Sequence, residues 1–179
     1  MSDFLVNYID EHKEELLALG EELFHHPELG FKEFETRKII QKFLDRHGLK
    51  IDREYAITGC SVTIGEGKPH IGLMAELDAI PTQGHPCADP VSTAAHACGH
   101  STQVGIMLGV MAALNEDPNR PAGTVTLFFT PAEEFTDMEY RRGLVKEGKI
   151  AYCSGKQNML AEHVLDDVDC ILHVHAMSD

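Results

Sequence analysis

The chain has 179 residues, enough for one domain with a substantial core and too few for two comfortable ones. Its 15 basic and 29 acidic residues give a net charge of −14, and such an acidic surface repels phosphate backbones and anionic lipids, which argues against nucleic-acid or membrane binding. The 5 scattered cysteines and an N-terminus without an export signal predict free thiols in a cytoplasmic protein, so that a cysteine is available as a metal ligand.

The first 48 residues are predicted to be mainly helical. Ile9, Leu16 and Leu23 recur at helical spacing, with Glu and Lys on the opposite face. A second helix is expected over residues 33–47, and Gly48 follows it in the position of a left-handed cap.

The pattern then changes to short β-rich segments. Residues 51–55, 61–64 and 71–75 are predicted strands, and the last two are expected to pair as a hairpin through Gly65-Glu66-Gly67. Residues 79–97 contain several prolines and have little periodicity, which predicts a long loop. Loops of that length inside compact domains are usually functional.

Helices and strands alternate in the second half of the chain. Helices are expected over residues 102–115 and 139–147, and buried apolar strands over residues 124–130 and 169–175. Helices followed by strands that alternate with helices predict a layered α/β domain. Its central sheet is expected to be mixed but mostly parallel, with helices flanking it.

Two motifs carry sulfur, nitrogen and oxygen ligands. In His96-Ala97-Cys98-Gly99-His100, a thiolate and an imidazole two residues apart can converge on one metal ion, and a helix N-terminus is expected to lower the pKa of the thiol. In Pro131-Ala132-Glu133-Glu134, adjacent glutamates point in different directions, so one can bind metal while the other takes a proton from water. Taken singly, an incidental cluster and a solvated acidic turn are the alternatives.

Two further motifs lie at predicted strand ends. Alternation along a strand puts His173 and His175 on one face, where they are either metal ligands or buried histidines satisfied by hydrogen bonds. Glu76 and Asp78 likewise share a face and suit a direct or a supporting role at a metal. All four motifs fall at strand ends or helix starts, where a doubly wound sheet gathers its ligand site.

In this order, the motifs resemble those of the aminoacylase/carboxypeptidase-type metallopeptidases. The features that carry the resemblance are Asp78-Ala79-Ile80-Pro81, the His-Ala-Cys-Gly-His and Pro-Ala-Glu-Glu motifs, and a later histidine. His26-Pro27-Glu28-Leu29-Gly30 also matches the amidohydrolase branch, which includes hippurate, auxin-conjugate and aminobenzoyl-glutamate hydrolases. The resemblance implies a zinc-exopeptidase-like fold that cleaves amides of N-acyl or N-aroyl amino acids, or dipeptide-like small molecules.

The resemblance also implies two divalent metal ions (zinc, manganese or cobalt) and a role for each site residue. Glu133 would be the general base, and Asp78 and Glu76 would occupy the positions of an orienting aspartate and of a ligand in other branches, with Glu76 only supporting. The metal ligands would be Cys98, which bridges the ions, His100, Glu134 and His175, the last preferred to His173 for its distance from Asp169.

The chain departs from the family pattern at two places. Ser101-Thr102-Gln103 stands where this branch often has Asp-Gly-His, which indicates a divergent subgroup. The sequence ends at Asp179, before the family's lid-and-dimerisation domain and its final histidine ligand. Residues 1–179 are therefore expected to be a single truncated catalytic domain of a homo-oligomeric enzyme, and to be inactive or nearly so as an isolated chain. Two alternatives are a fragment that binds metal weakly or not at all, and a hydrolase with Cys98 as nucleophile. The latter leaves Glu134 and His175 without a role and should survive chelation.

Overall fold

The computed structural model describes residues 2–176, which form seven strands and six helices. None of these helices has the length and apolar character needed to cross a membrane. The elements in chain order are α1 Ser2–Glu11, α2 Lys13–Phe24, α3 Phe34–Arg46, β1 Arg53–Tyr55, β2 Gly59–Glu66, β3 His70–Glu76, β4 Ile80–Pro81, β5 Ala94–Ala95, α4 His100–Glu116, β6 Gly123–Thr130, α5 Met138–Lys146, α6 Gly155–Ala161 and β7 Cys170–His173.

Five strands form one mixed sheet in the order β1-β2-β6-β3-β7. Strands β6, β3 and β7 run parallel, whereas β1, β2 and β6 pair antiparallel. The predicted hairpin between β2 and β3 is wrong, because β6 lies between them: Leu127 is opposite both Val62 and Leu73. The physical reason is that β6 is apolar on both faces, and such a strand is buried only when it has neighbours on both sides.

Helices cover both faces of the sheet. On one face, Leu127 and Phe129 of β6 join a core cluster with Leu108 and Met111 of α4. On the other face, Phe128 packs in a second cluster with Met159 of α6. The alternation of side chains along β6 therefore divides the interior into two apolar layers, as a layered α/β fold requires.

The last strand differs from its prediction. Residues 169–175 were expected to form a buried strand, but β7 spans Cys170–His173 and is exposed along its length, with Leu172 at 57% exposure. Strand β7 lies at the edge of the sheet and pairs with β3. Its apolar sequence alone could not indicate which strand would occupy that edge.

The His26–Gly30 motif connects α3 to the segment that follows β3 through hydrogen bonds of Glu28. The carboxylate of Glu28 accepts hydrogen bonds from the Thr36 amide at 2.8 Å and the Thr36 hydroxyl at 2.9 Å, and so satisfies a free N–H of the first helical turn. The carbonyl of Glu28 accepts the amide of Ala79 at 2.8 Å. Gly48, with φ of +67°, ends α3 in the expected left-handed conformation. The predicted loop 79–97 contains the small β4–β5 sheet.

Candidate metal centre

The four motifs converge at the carboxyl ends of the parallel strands. Glu76 ends β3, Glu133 and Glu134 follow β6, His173 ends β7, and His100 begins α4. This is the edge of an open α/β sheet at which ligands bind, because the loops that leave parallel strands all diverge there. The ligand site predicted from the sequence is thus brought together by elements far apart along the chain.

Cys98, His100 and His175 form the outer group of this centre. The Sγ of Cys98 lies 3.4 Å from Nε2 of His175, and one ligand atom from each of the three residues lies within 4.8 Å of the others. Nδ1 of His100 donates to the carbonyl of Asp78 at 2.7 Å, which leaves the lone pair of this ring on Nε2. That buried Nε2 has no hydrogen-bond partner. A thiolate and two imidazole nitrogens at this spacing fit zinc or cobalt.

The hydrogen bonds around Gln103 favour His175 over His173 as the ligand. The side-chain oxygen of Gln103 accepts the amide of Glu76 at 2.7 Å, so its NH₂ group must donate to Nε2 of His173 at 2.8 Å. The lone pair on that nitrogen is therefore occupied. By contrast, Nδ1 of His175 donates to the carbonyl of Ala176 at 2.6 Å, and its Nε2 contacts the Sγ of Cys98, a candidate ligand that itself loses its proton on binding metal.

Glu76, Glu133 and His100 form the inner group. Their ligand atoms also lie within 4.8 Å of one another, and Glu76 is almost fully buried. Nζ of Lys156 lies 2.5 Å from Oε1 of Glu76 and 3.1 Å from Oε1 of Glu133. Burial acts to raise the pKa of Glu76, but Lys156, together with His100 and His173, outweighs it and holds that pKa below its usual value. Lys156 could not be predicted from the sequence, because a single lysine in a Gly-Lys-Gln segment has no diagnostic spacing.

Asp78 is a buried residue that positions the candidate site residues through hydrogen bonds. Its side chain has no exposure, and its two oxygens accept the main-chain amides of Glu133 and Glu134, each at 3.0 Å. Its own carbonyl holds His100. Asp78 therefore orients both candidate glutamates and one candidate ligand.

A second buried layer fixes the Pro131–Ala132 segment, and sequence reasoning missed both of its charged residues. Arg141 is fully buried and donates to the carbonyl of Ala132 at 3.2 Å, while Glu33 accepts the amide of Ala132 at 2.8 Å. Burial, together with the negative charge of Asp78, raises the pKa of Glu33 to about 7. Gly30 packs directly against Ala132 and Arg141, where any side chain would collide with them.

The pKa of Cys98 differs from the sequence-based expectation. Burial, a hydrogen bond to Glu134 and the nearby carboxylates raise it to about 12, although the thiol lies at the N-terminus of α4. Burial and the carboxylates thus favour the protonated thiol. A bound divalent cation would reverse that balance, because a coordinating thiol is deprotonated outright. Burial likewise lowers the pKa of His96 to about 4.

Comparison with known proteins relates this site to a family of hydrolases. The IAA-amino acid hydrolase ILR1-like 2 of Arabidopsis thaliana is 35% identical over 164 residues, which make up 89% of this chain and 34% of that protein. The N-acetylcysteine deacetylase of Bacillus subtilis is 31% identical over 170 residues, 92% of this chain and 40% of the deacetylase. The crystal structure of B. subtilis YxeP, described as a dinuclear metal binding peptidase of the M20 family, matches with a TM-score of 0.75 at 29% identity, covering 95% of this chain and 44% of YxeP.

These relatives are longer than this chain, which spans between 34% and 44% of their length. The family model described as Peptidase family M20/M25/M40 matches residues 72–179, more than half of the chain. That region includes all of the predicted site residues, from Glu76 to His175. The chain therefore belongs to the peptidase family M20/M25/M40.

Proposed function

We propose that this protein is a metal-dependent amidohydrolase that cleaves the amide of N-acyl or N-aroyl amino acids, or of small peptide-like conjugates. The observation that carries the proposal is the convergence of Cys98, His100 and His175 beside the Glu133–Glu134 pair. Two of the relatives are named for amino-acid conjugates, an indoleacetyl amino acid and N-acetylcysteine. We propose small-molecule substrates of that kind.

Cys98, His100, Glu134 and His175 would hold two divalent ions of zinc, manganese or cobalt. When bound, such ions lower the pKa of water and polarise a carbonyl group. Glu133, with a partly exposed side chain, would accept a proton from the attacking water and pass it to the nitrogen of the leaving amine. Asp78 would keep Glu133 and Glu134 in place through their main-chain amides.

Catalysis by a Cys98 thiolate is the less favoured chemistry. The pKa of this thiol is raised to about 12, so few free thiolates exist near neutral pH. A thiol mechanism also leaves His175 and Glu134 without a function. For the whole protein, we further propose a cytoplasmic location and a homo-oligomeric assembly.

The test is hydrolysis of N-acetylcysteine and of indoleacetyl amino acids by the purified whole protein, with metal content measured in the same samples. We expect cleavage that is lost on chelation and restored by Zn²⁺, Mn²⁺ or Co²⁺. Glu133→Gln should lower turnover by roughly 10²–10⁴-fold while the metal content is kept. Cleavage that survives chelation would exclude the metal mechanism. A protein that neither binds metal nor cleaves these amides would instead be non-catalytic.

A further inference from the structure

A cation, the ammonium group of Lys156, lies against the carboxylates of the inner group. Nζ of Lys156 contacts Glu76 Oε1 at 2.5 Å and Glu133 Oε1 at 3.1 Å, so one ammonium group bridges both carboxylates. Glu76 is 1% exposed and cannot be compensated by solvent. A buried carboxylate requires a nearby opposite charge, which Lys156 supplies.

The main chain, rather than the flexible lysine side chain alone, determines where this ammonium group lies. Gly155 packs so closely against the carbonyl of Pro131 that no side chain would fit, and its amide donates to the carbonyl of Ala132 at 3.2 Å. The start of α6 is thereby attached to the segment that carries Glu133. The preceding turn is held by Asn158, which donates to the carbonyls of Tyr152 at 2.7 Å and Ser154 at 2.8 Å.

The inner and outer groups share one ligand atom. Both contain His100, whose Nδ1 is engaged with the carbonyl of Asp78, so only its Nε2 can bind an ion. One lone pair binds one ion. Lys156 contacts Oε1 of both Glu76 and Glu133, whereas Nε2 of His100 lies 3.3 Å from Oε2 of Glu76. The same nitrogen also lies within reach of the ligand atoms of Cys98 and His175, so it can bind an ion on their side while Lys156 occupies the other.

We infer that Lys156 is the resident cation of the Glu76–Glu133 pair and that it confines divalent ions to the side of Cys98 and His175. This role rests on the metal binding of the proposed function, and it assigns Lys156 as a positioning residue that selects where metal binds. Glu133 then pairs with Lys156 through Oε1 instead of binding metal, and its Oε2 is the oxygen that would act as the base. The inference concerns metal stoichiometry, and it can be tested without measuring activity.

The experiment is equilibrium dialysis of the metal-free protein against Zn²⁺, with bound metal counted per chain, and a parallel titration with Co²⁺ followed by thiolate-to-cobalt absorption. Lys156→Met should bind one more equivalent of Zn²⁺ than the wild type, without added thiolate-to-cobalt absorption. Lys156→Arg, which keeps the charge, should match the wild type. Lys149→Met is the control for lost charge alone, because Lys149 is exposed and pairs with Glu147.

A Glu76→Gln change locates the additional ion. In the Lys156→Met background it should remove the extra equivalent, and in the wild-type background it should leave the stoichiometry unchanged. Unchanged stoichiometry in Lys156→Met would overturn the inference, as would loss of an equivalent in Glu76→Gln alone. Failure of the proposed function gives a different result, in which the wild type shows no thiolate-to-cobalt absorption at all.

Discussion

Asp78 and Arg141 form an oppositely charged pair beneath the metal centre, with 3.6 Å between Oδ2 and Nη2 and no exposure of either side chain. Asp78 accepts hydrogen bonds from the amides of Glu133 and Glu134. Arg141 donates hydrogen bonds to the carbonyls of Ala132 and Cys153. The pair thus links the candidate catalytic segment to α5.

Arg141→Met should strongly destabilise the fold. It leaves the buried carboxylate of Asp78 without the guanidinium group and removes a donor from the carbonyls of Ala132 and Cys153. Breaking such a pair typically costs about 3–5 kcal/mol. Urea unfolding followed by circular dichroism measures the free energy of unfolding. Arg142→Met is the matched control, because the neighbouring Arg142 is exposed, and it should change that free energy by less than about 0.5 kcal/mol. Equal effects of the two changes would contradict the structural role of Arg141.

Gly155→Ala should also destabilise the protein, since the new methyl group would collide with the carbonyl of Pro131. Backbone shifts to relieve such overpacking cost about 1–3 kcal/mol. Gly143→Ala is the control within α5, where nothing lies within 4 Å of the added carbon. Alanine is the better helix former by about 0.5–1 kcal/mol, so this second variant should be slightly more stable than the wild type. Thermal unfolding should show a lower melting temperature for Gly155→Ala than for the wild type, and a slightly higher one for Gly143→Ala.

Glu33 should make stability depend on pH. Below its ordinary pKa of 4.5, Glu33 is protonated in both the folded and the unfolded chain. Between pH 4.5 and the folded-state pKa of about 7, Glu33 keeps its proton in the folded chain and loses it in the unfolded chain. The free energy of unfolding therefore falls as the pH rises through this range.

Glu33→Gln removes this titration. The side-chain amide of the new glutamine can still form hydrogen bonds with Thr58 and Ala132. From pH 4 to pH 8, its free energy of unfolding relative to the wild type should therefore rise by about 3 kcal/mol. Urea titrations at several pH values, with chelator present, measure the difference. The exposed Glu66→Gln should show no such trend. A flat difference for Glu33→Gln would mean that Glu33 titrates normally in the fold.

His175 and His173 should differ in metal binding. His175→Ala removes the Nε2 that contacts Sγ of Cys98, so thiolate-to-cobalt absorption should require much higher Co²⁺ concentrations. His173→Ala removes only a nitrogen that already accepts from Gln103, so saturation should occur near the wild-type concentration. The reverse order of effects would assign His173 as the ligand. This comparison uses two histidines of the same strand end and thus controls for loss of an imidazole there.

The sequence alone determined the types of groups at the site and the ends of the elements that carry them. Cys98, His100, Glu133, Glu134 and His175 stand at strand ends or at a helix start, and hydrophobic periodicity is a local property that marks such positions. The carboxyl ends of parallel strands meet at one edge, so the convergence of these residues could be predicted. The resemblance of the ordered motifs to a metallopeptidase family had the same local basis.

Only the tertiary structure decided which distant segments meet. The pattern of β2 and β3 suited a hairpin, but β6, which is apolar on both faces, is buried between them. The order of the strands depends on how all of them compete for buried positions, so the sequence of a single segment does not predict it. Lys156, Arg141 and Glu33 are single charged residues without diagnostic spacing, and each became important because the fold buried it beside an opposite charge or a polar main-chain group. Electrostatic energies depend on distance and burial in space, which sequence separation does not reveal.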